Sequence, residues 1–211
     1  MQHQGIASRL ISAISLLLLS NLFATTIFTT TIHANEIAHR DDSLGLEFPT
    51  AIGLFRYLKV EKYKDVGLGY SVRYIGPDIM KADIYVYNKN LSQLPDGIVS
   101  QEVKNEMREV AQGLYLFQKR GIYKDVLKIR EDIYPAPSKG KIVRYLWSIF
   151  SYSQNPGERV SYYGTRKSET FLTVHRGNFI KIRLTCKAQS QEDNDYIGRK
   201  FVDTLSSYIV K

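Results

Sequence analysis

The chain has 211 residues, a single cysteine and a formal net charge of +8 at pH 7. One cysteine cannot form an intramolecular disulfide, which excludes the class of small exported proteins held together by disulfides. The basic surplus favours anionic partners such as lipid head groups, acidic polysaccharide or nucleic acid. It serves solubility equally well, because lysines and arginines are spread along the chain with acidic residues between them.

The first 34 residues have the pattern of an export signal. Arg9 is the only charged residue before Glu36, and an apolar run follows it from residue 10 to residue 22. Ala34 supplies the small residue that a signal peptidase requires. The sequence therefore predicts a signal peptide over residues 1–34, cleaved after Ala34, and a periplasmic or secreted product with a net charge of +7.

The alternative is a segment that stays in place as a membrane anchor, because residues 10–32 carry no charge and about 20 apolar residues span a bilayer. Serines and threonines dilute the hydrophobicity of this segment, which favours cleavage. No cysteine follows Ala34 directly, so neither a lipid tether nor a stable membrane anchor is expected on the mature chain. Export also disfavours nucleic acid as the partner of the positive charge.

Residues 35–50 are interpreted as a loose lead-in, since acidic residues and Pro49 interrupt regular structure there. Residues 51–211 are predicted to form a single domain, because no repeat, long linker or low-complexity segment divides them. Within this domain, residues 68–74 and 80–87 have the pattern of strands, and a Gly-Pro-Asp turn at residues 76–78 joins them into an antiparallel hairpin.

The first predicted helix covers residues 100–121. Its apolar residues recur at intervals of three and four, as required to pack on a sheet. They are Val103, Met107, Val110, Leu114 and Phe117. Ser100 is predicted to cap the helix, Glu102 and Glu106 complement the positive end of its dipole, and Gly121 ends it.

After this helix the pattern changes to strands joined by turns, which predicts an antiparallel meander. The predicted strands are residues 126–134, 142–152, 159–165, 169–175 and 179–186, of which the third and fourth could form one bent strand. Pro135 and Pro137 are expected to end the first of them, and turns are predicted at residues 155–158 and 176–178. In the last strand, apolar residues alternate with polar ones and place Cys186 on the buried face, which favours an inert thiol over a nucleophile.

A second amphipathic helix is predicted at the end of the chain. Ser190 and Asp193 resemble a capping box. The apolar face consists of Ile197, Phe201, Leu205 and Ile209. Because strands and helices come in the order strands, helix, strands, helix, the fold class is predicted as α+β, with helices packed on an antiparallel sheet.

The end of the chain resembles the terminal strand and helix of PsbP-like proteins. The residues that carry this resemblance are Cys186-Lys187-Ala188-Gln189, Asp193, Tyr196, Gly198, Arg199-Lys200-Phe201-Val202 and Ser206-Ser207-Tyr208. The front half looks more like exported bacterial proteins. The resemblance implies an α/β/α sandwich, a habit of binding other proteins and, as is general in that family, no enzymatic activity.

The residue inventory also offers little for catalysis. After the signal the only histidines are His39 and His175, and the sequence has neither a Gly-x-Ser-x-Gly elbow, nor zinc-ligand spacing, nor a Gly-rich phosphate loop. No cofactor or metal is therefore expected. The alternative function is a cell-envelope hydrolase that uses His175 or a carboxylate pair, either Glu131 with Asp132 or Glu192 with Asp193.

The favoured function is a non-enzymatic binding or assembly module of the cell envelope, which docks to a protein or to an anionic partner. Its candidate binding residues are Arg144, Arg176, Lys181 and Arg183, on strands that the sheet order could bring together. Arginine-rich faces near tyrosines suit such partners. The alternative for these four residues is the solvated face of the sheet.

Overall fold

The computed structural model describes residues 36–154, 164–188 and 191–209, without the side chains of residues 191–193. The elements are β1 Ile37–Asp41, β2 Leu46–Pro49, β3 Ala51–Ile52, β4 Phe55–Lys62, β5 Tyr70–Ile75, β6 Lys81–Tyr87, α1 Gln101–Lys119, β7 Tyr123–Ser138, β8 Lys141–Gln154, β9 Thr165–His175, β10 Asn178–Lys187 and α2 Gln191–Ile209. The predicted signal peptide, the turn at residues 155–158, most of the predicted strand at residues 159–165 and the capping serine at residue 190 lie outside the described residues.

Strands β3 to β10 form an antiparallel sheet in the order β3-β4-β5-β6-β10-β9-β8-β7. The predicted hairpin is confirmed as β5 and β6, and the predicted meander as the consecutive neighbours β7, β8, β9 and β10. Strand β10 then pairs with β6, which joins the two halves of the sheet. This pairing places β10 in the middle of the sheet, with α1 on one face and α2 on the other.

Strand β10 shows how the sequence divides the two faces. Ile180, Ile182, Leu184 and Cys186 are buried on one face. Their neighbours Lys181 and Arg183 point to the opposite face, because successive side chains of a strand alternate. The prediction that Cys186 lies on the buried face is confirmed.

Helix α2 covers the face that carries Cys186. Phe201, Leu205 and Ile209 are buried in the main core, with Ile197 packed against it, which confirms the predicted apolar face. The ring centroid of Phe201 lies 4.5 Å from that of Phe55 and 5.4 Å from that of Tyr74. This contact fixes α2 against the half of the sheet formed by β4 and β5.

Helix α1 covers the other face. Ser100 caps it by accepting a hydrogen bond from the Val103 backbone N–H at 3.4 Å, as predicted. Val103 and Met107 pack in a smaller core cluster, and Leu114 lies in another. A sheet with one helix on each face is the predicted α+β fold and an α/β/α sandwich.

In place of a loose lead-in, the segment at residues 35–50 contains the hairpin of β1 and β2. Leu46 and Phe48 are buried in the main core, and the Tyr74 hydroxyl donates to the Pro49 carbonyl oxygen at 2.8 Å. The acidic residues taken as interruptions form the turn, where Asp41 accepts hydrogen bonds from Ser43 and Leu44. Two apolar residues at alternate positions were sufficient to make this segment part of the domain.

The expected end of the strand at Pro135 and Pro137 is wrong, because β7 continues to Ser138. β7 is an edge strand that pairs with β8 alone in this sheet. A proline on an edge strand can leave its missing N–H on the outer side, where no neighbouring strand needs it. Strand β4, which the sequence did not predict, extends the opposite side of the sheet.

Within the described ranges, no helix is both long enough and apolar enough to cross a membrane.

Candidate functional site

A groove runs between helix α1 and the face of strands β6 and β10. It has two neighbouring compartments, which we call the tyrosine compartment, of about 380 Å³, and the arginine compartment, of about 280 Å³. Tyr85, Glu109, Val110 and Lys181 line both, so the two compartments form one continuous groove, here called the α1 groove. The tyrosine compartment is also lined by Tyr63, Tyr87 and Leu68 among others. The arginine compartment is also lined by Ser168, Thr170, Arg183 and Phe117 among others.

Lys181 and Arg183 form the floor of the groove because they are two residues apart on β10 and point to the α1 side. Strand pairing then fixes their neighbours. Lys181 lies opposite Tyr85 on β6, and Arg183 lies opposite Thr170 on β9. The central strand β10 thus holds both cations in place, Lys181 beside the Tyr85 ring and Arg183 beside the Thr170 hydroxyl group.

Arg183 is held by neutral partners. Its Nε donates to the Ser168 hydroxyl at 3.2 Å, one terminal nitrogen donates to the Tyr152 hydroxyl at 3.2 Å, and Tyr123 is a further hydrogen-bond partner. Asp83 lies opposite it on β6 but accepts instead from Arg73, at 2.5 Å. Within the part of the chain that the structure describes, Arg183 forms no ion pair with a carboxylate. A guanidinium has five N–H donors, so it retains capacity for an anion.

Lys181 belongs to a different set of contacts, which we call the Glu106 cluster. The Glu106 carboxylate is buried on α1, accepts from Lys181 at 3.1 Å and from the Tyr87 hydroxyl, and forms an ion pair with Lys89. The Lys181 amine lies 4.8 Å from the ring centroid of Tyr87 and 5.3 Å from that of Tyr85. One carboxylate therefore ties α1 to strands β6 and β10.

Burial and charge shift the titration of this cluster in a consistent way. Burial lowers the pKa of Lys181, and the neighbouring Glu106 carboxylate offsets only part of that effect. Burial alone would raise the pKa of Glu106, but the two lysines and Tyr87 lower it overall. Burial, followed by the Glu106 charge, raises the pKa of Tyr87. At neutral pH the cluster thus holds an ionised carboxylate and a neutral tyrosine.

Of the four candidate binding residues, the structure brings Lys181 and Arg183 together in the α1 groove. Arg144 is exposed on β8, and Arg176 is exposed in the turn between β9 and β10, with its guanidinium beside Gly45. Neither lines the groove. Sheet order places β9 between β8, which carries Arg144, and β10, so these cations do not form one patch.

The residues considered for hydrolysis are placed apart from the groove. His175 is half-buried at the end of β9, where it hydrogen-bonds to the Leu44 backbone and where burial lowers its pKa. Glu131 and Asp132 lie on β7 in exposed ion pairs with Lys128 and Arg130. The side chains of the second carboxylate pair, residues 192 and 193, lie outside the described part of the structure.

The sequence did not single out the polar residues of the groove on α1 and β6. Glu106 was assigned to the helix dipole, yet it lies in the second turn of α1, between the buried residues Val103 and Met107. That position was the available signal, because a carboxylate on the apolar stripe of a helix must find a buried cation. Tyr87 and Lys89 gave no such signal.

A second polar cluster lies on the α2 side of the sheet. The Lys167 amine contacts the Asp195 carboxylate and lies 3.0 Å from the Glu169 carboxylate, which accepts from the Trp147 indole N–H at 2.9 Å. We call this set the Lys167 cluster. Burial disfavours its charged amine, but Asp195 and Glu169 raise the pKa of Lys167. Its charges are satisfied internally.

In the described residues, no group of three or more histidine, cysteine, aspartate or glutamate side chains is placed to hold a metal ion. The α1 groove instead offers the chemistry of anion binding. It combines a cation without a carboxylate partner, two hydroxyl groups and aromatic walls.

The comparisons with known proteins concern the fold. No protein-family model matches the chain, and no curated protein matches it. The structure is similar to the solution structure of cyanobacterial PsbP (CyanoP) from Synechocystis sp. PCC 6803, with 14% sequence identity and a TM-score of 0.42. The similarity covers 80% of this chain and 88% of that chain. PsbP is also the family that the residues of β10 and α2 resemble.

Proposed function

We propose that this chain is a non-enzymatic binding or assembly module of the cell envelope, which docks to an anionic partner through the α1 groove. The observation that supports the proposal best is the state of Arg183. Its charge lies at the floor of a groove, its hydrogen-bond partners are serine and tyrosine hydroxyl groups, and the nearest aspartate across the strand pair is bonded to Arg73. Such a guanidinium is suited to a carboxylate or phosphate from outside.

Lys181 and Arg183 have different roles in this function. Lys181 is already neutralised by Glu106, so it positions α1 and Tyr85 rather than receiving the partner's charge. Arg183 receives that charge, because an anion here would be shielded from water by the groove walls and would interact more strongly than on an open surface.

The proposed location is the periplasm or the extracellular space, reached after cleavage of residues 1–34. The test is the intact mass of the mature protein recovered from the cell envelope. A mass that begins at Asn35 supports export with cleavage after Ala34, whereas a full-length chain in the membrane fraction supports the anchor.

Docking is tested by photocrosslinking in the source cells. Gly113 lies on α1 at the arginine compartment, and a methyl group placed there would meet no atom within 4 Å, so a photoreactive amino acid fits at this position. We expect Gly113 to crosslink to a specific partner and the exposed residue Ile142 not to. Arg183→Gln should abolish the crosslink, and His175→Ala should leave it unchanged.

Two outcomes would contradict this proposal. One is the absence of a specific crosslink from Gly113, and the other is a crosslink that survives Arg183→Gln. An envelope phenotype that disappears with His175→Ala in a folded protein, while the crosslink persists, would support the hydrolase instead.

A further inference from the structure

The surface around the α1 groove bears on the kind of partner that it receives. Leu68 is exposed at the tyrosine compartment, and Phe117 is exposed at the arginine compartment. On the outer side of α1 a shallow cavity of about 640 Å³ shares Glu109 and Gly113 with the groove and is lined by Leu116. Because Gly113 has no side chain, the groove and this cavity meet at the helix, and Tyr115 and Leu116 add apolar surface beside polar residues. Exposed apolar side chains beside a groove with a polar rim are typical of protein contacts.

The charges of the groove limit the partner to one negative charge. The ionised groups that line the two compartments are Lys89, Lys181, Arg183, Glu106 and Glu109. Three cations and two carboxylates leave one positive charge. A single carboxylate neutralises it, whereas a phosphate dianion would leave one buried charge without compensation.

We infer that the α1 groove binds a protein segment in which one carboxylate is flanked by apolar side chains. The inference rests on the proposed function and adds the chemistry of the partner. The carboxylate accepts from the Arg183 N–H groups that Ser168 and Tyr152 leave free. An adjoining apolar side chain enters the tyrosine compartment over Tyr85, and the segment continues across Gly113.

Other residues of the groove fit this arrangement. The tyrosine compartment offers aromatic rings together with Leu68 and Val110, which suits an apolar side chain. The hydroxyl groups of Ser168 and Thr170 lie beside Arg183 and can donate to the same carboxylate. Glu109 at the mouth of both compartments repels a second acidic residue, which restricts the segment to one carboxylate.

The test selects random peptides displayed on phage against the folded mature chain. We expect enrichment of peptides with one aspartate or glutamate next to aromatic or aliphatic residues. The same selection on Arg183→Gln should lose this enrichment, and the selected peptides should bind this variant at least about tenfold more weakly, as expected when a charge-assisted hydrogen bond is removed. Arg144→Gln removes the same charge from an exposed site and serves as the matched control.

A second variant keeps the test decisive if Arg183→Gln is poorly folded. Gly113→Leu fills the open space above the helix, where no atom lies within 4 Å of an added methyl group. It should not weaken α1, because leucine has a higher helix propensity than glycine. It should still reduce peptide binding by about tenfold or more, because one buried apolar side chain is displaced.

The outcomes separate this inference from the proposed function. Selected peptides without an acidic residue, or peptides that bind Arg183→Gln as tightly as the wild type, would overturn the inference. Complete displacement of the selected peptides by equimolar 3-phenylpropionate would also overturn it, because the site would then belong to a small carboxylate. In each case a partner crosslinked from Gly113 in cells, and lost in Arg183→Gln, would still support docking at this groove.

Discussion

The two faces of the sheet carry similar charged groups in opposite situations. On the α2 side, the Lys167 amine contacts two carboxylates, and its side chain is 5% exposed while that of Glu169 is 6% exposed. On the α1 side, the Lys181 side chain is 21% exposed, and the neighbouring Arg183 meets hydroxyl groups only. The first cluster completes a core, and the second borders a groove. Similar residues on one sheet thus differ in role because one helix closes over them and the other leaves a gap.

The gap on the α1 side has an identifiable cause. Helix α1 packs on β6, β9 and β10 through the cluster of Met107 and on β8 through that of Leu114, and the groove lies between these contacts along Tyr85, Lys181 and Arg183. The glycine at position 113 lines the opening and places no side chain there. We expect variants on the α2 side to lose stability, and variants on the α1 side to lose binding first.

The largest expected effect is that of Lys167→Ala. The substitution leaves the buried carboxylate of Glu169 and the half-buried carboxylate of Asp195 without their cation, and breaking a buried pair costs about 3–5 kcal/mol. The measurement is the free energy of unfolding in urea. Lys128→Ala removes a surface pair with Glu131 and should cost about 1 kcal/mol or less. Equal losses for the two variants would show that the Lys167 cluster is open to water.

Cys186 gives a second measure of how closed the α2 side is. Burial raises the pKa of its thiol from 9.0 to about 11. Because the folded state holds the proton more tightly, the contribution to stability is complete below about pH 9 and is lost as the pH rises to about 11. The loss amounts to about 2–3 kcal/mol.

The measurement compares urea unfolding of the wild type and Cys186→Ala across this pH range. The variant lacks the thiol but shares every other titrating group, so the difference between the two proteins isolates Cys186. Parallel pH dependence of the two would contradict the prediction and would indicate that the thiol is reached by water in the folded state.

Glu106→Gln should have an intermediate effect of about 2 kcal/mol, since hydrogen bonds to a charged group contribute about 1.5–3 kcal/mol. Glutamine keeps the shape of the side chain but leaves Lys181 and Lys89 without the shared carboxylate. The loss should be smaller than for Lys167→Ala because water reaches the lysines through the groove. Glu109→Gln, on the same helix and also paired with Lys89, is 59% exposed and should change the unfolding free energy by less than about 0.5 kcal/mol. Similar losses for both would place Glu106 outside the core.

Much of the sandwich could be predicted from the sequence because its strands and helices are strongly periodic. The alternation along β10 correctly placed Cys186 inside, and the spacing of Phe201 and Leu205 correctly predicted the buried face of α2. The hairpin at the start of the domain was missed because its core contacts depend on two residues, Leu46 and Phe48. Local composition around them was typical of a loop.

The sequence predicted only part of the candidate site, namely Lys181 and Arg183. Alternation indicated that Lys181 and Arg183 share a face, and their shared face is that of the α1 groove. It could not indicate that Arg144 lies apart, because that depends on which strands are neighbours. It also could not show that Glu106 binds Lys181, since 75 residues separate them in the chain and the contact exists only when α1 lies on β10.

Apart from the control variants, Arg183→Gln has the smallest expected effect on stability, and it is the most informative variant about the groove. The variant loses hydrogen bonds to Ser168 and Tyr152 but leaves no carboxylate without a partner, and the glutamine amide can still donate to one of these two buried hydroxyl groups. Its unfolding free energy should therefore change by about 1 kcal/mol or less. Urea unfolding of this variant beside Lys167→Ala tests the contrast between the two faces directly. A loss of about 3 kcal/mol or more would mean that Arg183 is a structural cation like Lys167, and it would contradict the contrast between the two faces.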